Sequence, residues 1–521
     1  MRKPDRFLVL LAFLLAGCYR VMVTPIRPPE ASETVSPLAT ARPSSPSEPP
    51  SPSSPPAVSL SPTPTPPFFT PSETPTLLPS PFPSLTAPPT SSPTPAPPLL
   101  TAPPAGPVAI WEGTVTLNAY DWERALVPTA SDDPVYPHPR LDFGAVGGPA
   151  PRSYRAVFIQ NDYVQLVVLP DLGGRILRWT DRTTGRQLFY ANPVVKPTRW
   201  GYRGWWLATG GIEWAFPTEE HGLIEYRPWE YRLMGDGVYL RGVDERSGLV
   251  AEVTVRLERG TSRVVISPRV SNPTAESRLF QFWANGMLAL SDFNVPSTDL
   301  VFVLPVSEVI VHSTGDGSLP GPGGRMAWPV HGGRDFRRYR EWRSYLGVFA
   351  PQAAEAGFAG AYDLQTDQGV VRVAPPSIRG VKIFCLGDLP PDLWTDDGSR
   401  YFELWGGLTA TFWDYATLGP GRSVSWTEYW YAVSRMGGYT WANAEGAVRI
   451  TSLGDGAEVA VETVQPMAAT VILRRGNEEA ARWVAEVGPG RPFRAVGGTG
   501  SGPWTLEVVG PQGLILRTES P

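Results

Sequence analysis

From about Val108 onward, apolar and polar residues alternate in short runs cut by Gly-, Pro- and Asp-rich turns, with hardly any helical periodicity. Residues 163–169, the turn Pro170-Asp171-Leu172-Gly173-Gly174 and residues 175–180 read as strand, turn, strand. A turn at 181–185 and a third strand at 187–190 follow. The same texture recurs at 238–243, 251–257, 264–271, 278–285, 369–373, 399–405 and 423–433. Many strands at such close spacing predict an all-β protein, with two large stacked sheets over residues 108–436. After Met436-Gly437-Gly438 the strands become small-residue runs, at 457–463, 468–473, 481–487 and 504–509. They predict a small immunoglobulin-like β-sandwich over residues 437–521, or else extra strands on the main sheets.

The chain ahead of Val108 follows different rules. Arg2, Lys3 and Arg6 precede an apolar run at 7–15, and Leu15-Ala16-Gly17-Cys18 comes next. That is the layout of an export signal with small residues at its cleavage point. The run is shorter than the roughly 20 residues a bilayer-spanning helix needs. Cys18 stands where the bacterial lipobox places its acylated cysteine, so segment 1–18 resembles a lipoprotein signal and Cys18 is the expected lipidation site. Residues 19–107 are dominated by Pro, Ser and Thr, hold 29 of the sixty prolines and none of the nineteen tryptophans. Such a segment buries too little apolar surface to order itself and reads as a disordered spacer. The expected location is the bacterial cell envelope, with the folded part outside the cytoplasm and tethered to a membrane by its lipid.

Composition narrows the chemistry. Beyond Cys18 only Cys385 remains, which rules out an intrachain disulfide in the lipidated protein and a cysteine-based metal site. Net charge is −5, without the basic footprint nucleic acid requires. Gly321-Pro322-Gly323-Gly324-Arg325 lacks the Lys-Ser/Thr of a phosphate loop, and four scattered histidines give no zinc spacing. No cofactor and no metal are expected.

Three patches carry candidate chemistry. In the first, Arg199 and Trp200 precede Gly210-Gly211-Ile212-Glu213-Trp214, with His221 shortly after. Indole faces suit the C–H face of a sugar ring, while Arg, Glu and His serve its hydroxyls. In the second, Phe280-Gln281-Phe282-Trp283-Ala284-Asn285, strand alternation places Gln281, Trp283 and Asn285 on one face. In the third, Tyr401, Glu403 and Trp405 share a face, with Phe402 and Leu404 directed to the core. A carboxylate between two aromatics is a candidate base or acid.

Together these motifs resemble the galactose-mutarotase-like superfamily, and most closely a bacterial family often fused to tetratricopeptide repeats. The resemblance covers residues 150–436. It rests on Leu169-Pro170-Asp171-Leu172-Gly173-Gly174-Arg175-Ile176, Lys196-Pro197-Thr198-Arg199-Trp200-Gly201, Gly211-Ile212-Glu213-Trp214, Gly380-Val381-Lys382-Ile383-Phe384, Glu403-Leu404-Trp405-Gly406-Gly407 and Trp426-Thr427-Glu428-Tyr429-Trp430. It implies a β-supersandwich whose concave face binds carbohydrate. Mutarotases open and close the sugar ring with a glutamate base and a histidine acid. Glu403 matches the glutamate, and His221 an early substrate-binding histidine. Gln281 stands where the acid histidine is expected and has no titratable proton, with His312 and His331 as substitutes. The leading expectation is therefore a surface-displayed carbohydrate-binding lipoprotein. The alternatives are an aldose epimerase or related glycan-active enzyme with Glu403 as base, and a non-catalytic envelope scaffold.

Overall fold

The structure, a computed structural model, describes residues 108–520. The signal segment with Cys18 and the spacer lie outside the described residues. Strands account for nearly all regular structure, and the one α-helix among the described residues is the single turn Ala353–Ala356.

Two sheets make the large sandwich. One has thirteen strands, and its middle runs Gly380–Cys385, Phe402–Gly407, Trp283–Leu288, Trp206–Ala215. The other, of nine strands, runs from Glu230–Leu233 through Val264–Ser271 and Glu428–Ser434 to Leu300–Val303. Between them lies one apolar core, fed by Ile212, Trp214, Ala284, Phe402, Leu404 and Ile383 from the first sheet. Val253, Ile266 and Trp430 meet them from the second. Strands alternate sides, so Glu213, Asn285, Glu403 and Lys382 emerge on the opposite face of the large sheet.

The Trp-Gly-Gly run of the third patch has a packing reason on both faces. A side chain at Gly407 would meet the Trp283 indole at 2.1 Å, and one at Gly406 would meet the Arg372 guanidinium at 1.9 Å. Residues 441–519 form two further four-stranded sheets around Val448, Val459, Val471, Trp504 and Val508. They are tied to the large sandwich by Tyr431, whose hydroxyl donates to the carbonyls of Asn443 and Gly446 at 2.8 and 2.7 Å.

Some expected strands do not exist as read; segment 423–433 divides into Ser423–Ser425 and Glu428–Ser434. Segment 278–285 is two strands: Arg278–Phe280 pairs with Ala416–Leu418, while Trp283–Leu288 joins the large sheet. Gln281 sits at the break, with its own N–H on the Pro217 carbonyl at 2.7 Å. Alternation nevertheless survives the break: Phe280, Phe282 and Ala284 enter the core, while Gln281 lies on the side of Trp283, whose Nε1 donates to its Oε1 at 3.0 Å.

Candidate functional site

The antiparallel register puts Glu213, Asn285, Trp405 and Lys382 in one row across four neighbouring strands. Glu403 and Met287 occupy the next row. Asn285 joins the two acids: its Nδ2 donates to Glu213 Oε1 at 3.1 Å and lies 3.4 Å from Glu403 Oε1. Glu213 also accepts from Trp206 Nε1 at 2.7 Å and His221 Nδ1 at 2.6 Å, with Arg175 at 3.6 Å. Glu403 accepts from Trp405 Nε1 at 2.7 Å, and Lys382 Nζ stands 3.8 Å away. The Lys382 ammonium lies over the rings of Trp405 and Phe412, at 4.6 and 4.7 Å.

The electrostatics follow from burial working against charge pairing. Burial alone would push His221 down; the Glu213 carboxylate outweighs it, aided by Glu403 and Glu220, and holds the imidazole above the usual histidine value. Burial alone would raise Glu213, and His221 with Arg175 brings it below the usual carboxylate range. The two directions agree on an imidazolium facing a carboxylate. His221 lies flat on Trp206, centroids 3.7 Å apart, and 5.8 Å from the Trp405 ring. The site thus offers a charged donor and a carboxylate acceptor between two indoles.

Glu213, His221, Asn285, Glu403 and Trp405 are therefore brought together. Tyr401 lies on the same face in an adjoining aromatic cluster with Tyr190, Trp206 and Trp394, and Trp200 borders it, stacked on Trp394 at 6.2 Å. Trp283 shares the face but is fully covered beneath Phe412, so it is floor rather than wall.

Three expected site residues are elsewhere. Trp214 points into the core, its Nε1 donating to the Gly174 carbonyl at 3.1 Å, because it neighbours Glu213 on the same strand and must face the other way. Arg199 is exposed with its guanidinium over Phe143 at 3.9 Å. Gln281 is buried outside the charged row, its Nε2 donating to the carbonyls of Phe412 and Asp414, both at 2.8 Å. Of the substitute histidines, His312 is on the site face beside Phe412 at 5.4 Å, and burial with nearby Lys382 depresses it well below the usual value. His331 lies in a separate two-stranded ribbon.

Sequence reasoning missed Arg175, Trp206, Lys382 and Glu220. Lys382 had a signal: a lone cation alternating with Phe384 in an otherwise apolar strand. Glu220, at φ +55°, precedes His221; its carboxyl is raised by burial against the pull of His221 and Lys382. A non-glycine residue held in the left-handed region costs on the order of 1–3 kcal/mol and persists where the surroundings enforce it.

With this geometry in place, comparison with known proteins adds a family. The family described as domain of unknown function DUF5107 matches residues 130–433. A crystal structure of a TPR-domain containing protein from Parabacteroides distasonis superposes with TM-score 0.55 at 22% identity, over 63% of this chain and 55% of that one. The chain therefore spans just over half that protein's length. A putative mutarotase from Salmonella typhimurium matches with TM-score 0.39 at 11% identity, over 60% and 98% of the two chains. A putative aldose 1-epimerase from Escherichia coli K12 gives 0.36 at 14%, over 52% and 97%.

Proposed function

Starting from a chain that belongs to the DUF5107 family, we propose that the Glu213–Asn285–Trp405–Lys382 face binds carbohydrate in a lipid-anchored envelope protein. The observation that carries this reading is the convergence of Glu403 and His221, 182 residues apart in sequence, between the Trp206 and Trp405 rings. Indoles take the apolar face of a pyranose, and the imidazolium, Asn285 and the carboxylates serve its hydroxyls. Isothermal titration against a panel of mono- and oligosaccharides tests it. Binding abolished in Trp405→Ala supports the reading, and no binding by the unmodified protein to any sugar rejects it.

A second reading has its own support, in the Glu213-held His221 close to Glu403. Glu403 would take the proton of the anomeric hydroxyl while His221 protonates the ring oxygen. The C1–O5 bond then breaks to the open-chain aldehyde, and the reverse steps close the ring on either face. This assigns the acid to His221, so Gln281 no longer argues against turnover. Polarimetry of anomer exchange decides: full activity in Glu403→Gln removes the role.

The anchor is proposed at Cys18, followed by the spacer. Radiolabelled palmitate incorporation that disappears in Cys18→Ala, with release of the chain from membranes, is the expected result. A Cys18→Ala protein that stays membrane-bound would overturn it.

A further inference from the structure

The aromatic lining does not end at Trp405. Phe412 stands edge-on to Trp405 at 5.2 Å, Phe349 to Phe412 at 5.2 Å, and Trp413 to Phe349 at 5.4 Å. Trp413 is 41% exposed, whereas Trp206, Trp283, Trp394 and Trp405 are buried to 1% or less. One flank of Trp413 lies nearly parallel to His312, at 26° and 6.4 Å. An indole so exposed on a loop ordinarily has freedom to turn away.

This loop is held in place from below. Gln281 Nε2 grips the carbonyls of Phe412 and Asp414, on both sides of Trp413, and Gln281 Oε1 accepts Trp283 Nε1–H at 3.0 Å. Asp414 accepts from the N–H and hydroxyl of Thr411 at 3.0 and 2.8 Å, and the Thr411 hydroxyl accepts the Trp413 N–H at 3.1 Å. A buried amide, a capped turn and an aromatic back wall fix a solvent-facing indole beside the charged row. Holding a binding group in place before the ligand arrives removes part of the entropic cost of binding.

Resting on the carbohydrate reading above, we infer that Trp413 is a second stacking subsite, so that the ligand is a saccharide of at least two linked rings. The first ring sits over His221 and Trp405 at the acid–base pair, and the next lies on Trp413. The direction is set by the aromatic track, which continues from Phe412 through Phe349 to Trp413 with the His312 ring packed along it.

The test is a ratio of affinities, measured by titration calorimetry on the purified full chain with glucose, galactose, maltose, maltotriose, cellobiose, cellotriose and lactose. In the unmodified protein, at least one oligosaccharide series binds more tightly than its monosaccharide. In Trp413→Ala that preference falls roughly tenfold, the worth of one aromatic contact, and Trp413→Tyr restores most of it. An unmodified protein with no preference for longer saccharides, or a preference unaffected by Trp413→Ala, overturns the inference while leaving the single-ring site standing. Absence of binding to every sugar overturns the carbohydrate reading itself, and this inference with it.

Discussion

The molecule buries charge in two ways, and the contrast separates scaffold from chemistry. Arg203 and Glu225 are both covered to 1% exposure or less; the guanidinium donates to both carboxylate oxygens, at 2.6 and 3.1 Å, and to the Leu223 carbonyl at 2.6 Å. It is also sandwiched against Trp205 and Tyr226, at 3.9 and 4.2 Å. Arg372 and Glu428 form a second buried pair, between the sheets, with Nε donating to Oε2 at 2.6 Å. Arginine stays protonated throughout the accessible pH range, so these pairs are fixed charges. The Glu213, His221, Glu403 and Lys382 group uses side chains that exchange protons, held against one another by a single amide and walled by indoles. The first kind stabilises a shape. The second kind keeps protons near the place where a ligand is expected.

The largest effects expected from breaking this contrast fall on the scaffold. Glu225→Ala leaves the Arg203 guanidinium buried and uncompensated, and should cost about 3–5 kcal/mol in urea unfolding. Trp214→Ala, on the core side of the Glu213 strand, should cost a similar ~3–5 kcal/mol through the cavity it opens. Glu403→Gln keeps an acceptor for Trp405 but leaves the buried Lys382 ammonium facing a neutral amide, so it should cost less than Glu225→Ala, about 1–3 kcal/mol, while abolishing any anomer exchange. Equal stability losses in Glu225→Ala and Glu403→Gln would erase the distinction.

Next in size is a pH effect at the site. His221 is raised in the folded state, so its stabilising contribution is complete below the ordinary histidine range and is lost as pH rises through the folded value. Glu213 is lowered, so its contribution is present above the ordinary carboxylate range and lost as pH falls through the folded value. Ligand binding or exchange should therefore decline on the alkaline side only above the usual histidine range. Glu213→Gln should move that limb to lower pH, followed by calorimetry or polarimetry across pH 5–9 (about that span covers the histidine range). An unmoved limb would detach His221 from Glu213.

A separate pH effect belongs to the junction of the large sandwich with the 441–519 sheets. Burial pushes Glu462 up to about 8, against the N–H groups of Ser434 and Gly490 that donate to it at 2.7 Å. A carboxyl raised on folding contributes stability below its unfolded pKa that is lost as pH climbs through the folded value. The urea midpoint should fall from the ordinary carboxylate range up to about 8, and Glu462→Gln should flatten that slope.

The legible and illegible parts of the site divide on one physical point. Tyr401, Glu403 and Trp405 lie on the face opposite Phe402 and Leu404, since their alternation is set within one uninterrupted segment. The same rule held for Gln281, which lies with Trp283 opposite Phe280 and Phe282, but it could not tell that the amide is occupied by the Phe412 and Asp414 carbonyls. Trp214 was singled out by its motif alone, and as the immediate neighbour of Glu213 it faces the core. Arg175 and Lys382 escaped notice because each meets its acid only across the sheet, from a different strand 38 and 21 residues away along the chain.

Sequence by itself determined the all-β character, the strand-and-turn texture of the large sandwich, and which side chains within a strand face together. Those properties depend on near neighbours: period-two alternation and the turn residues that end it. The tertiary structure alone decided which distant acids, amide and cations share a row, and that the buried Gln281 holds a loop rather than facing a ligand. Strand order and register are set by how two whole sheets close over a common core, and no local stretch of residues contains that information.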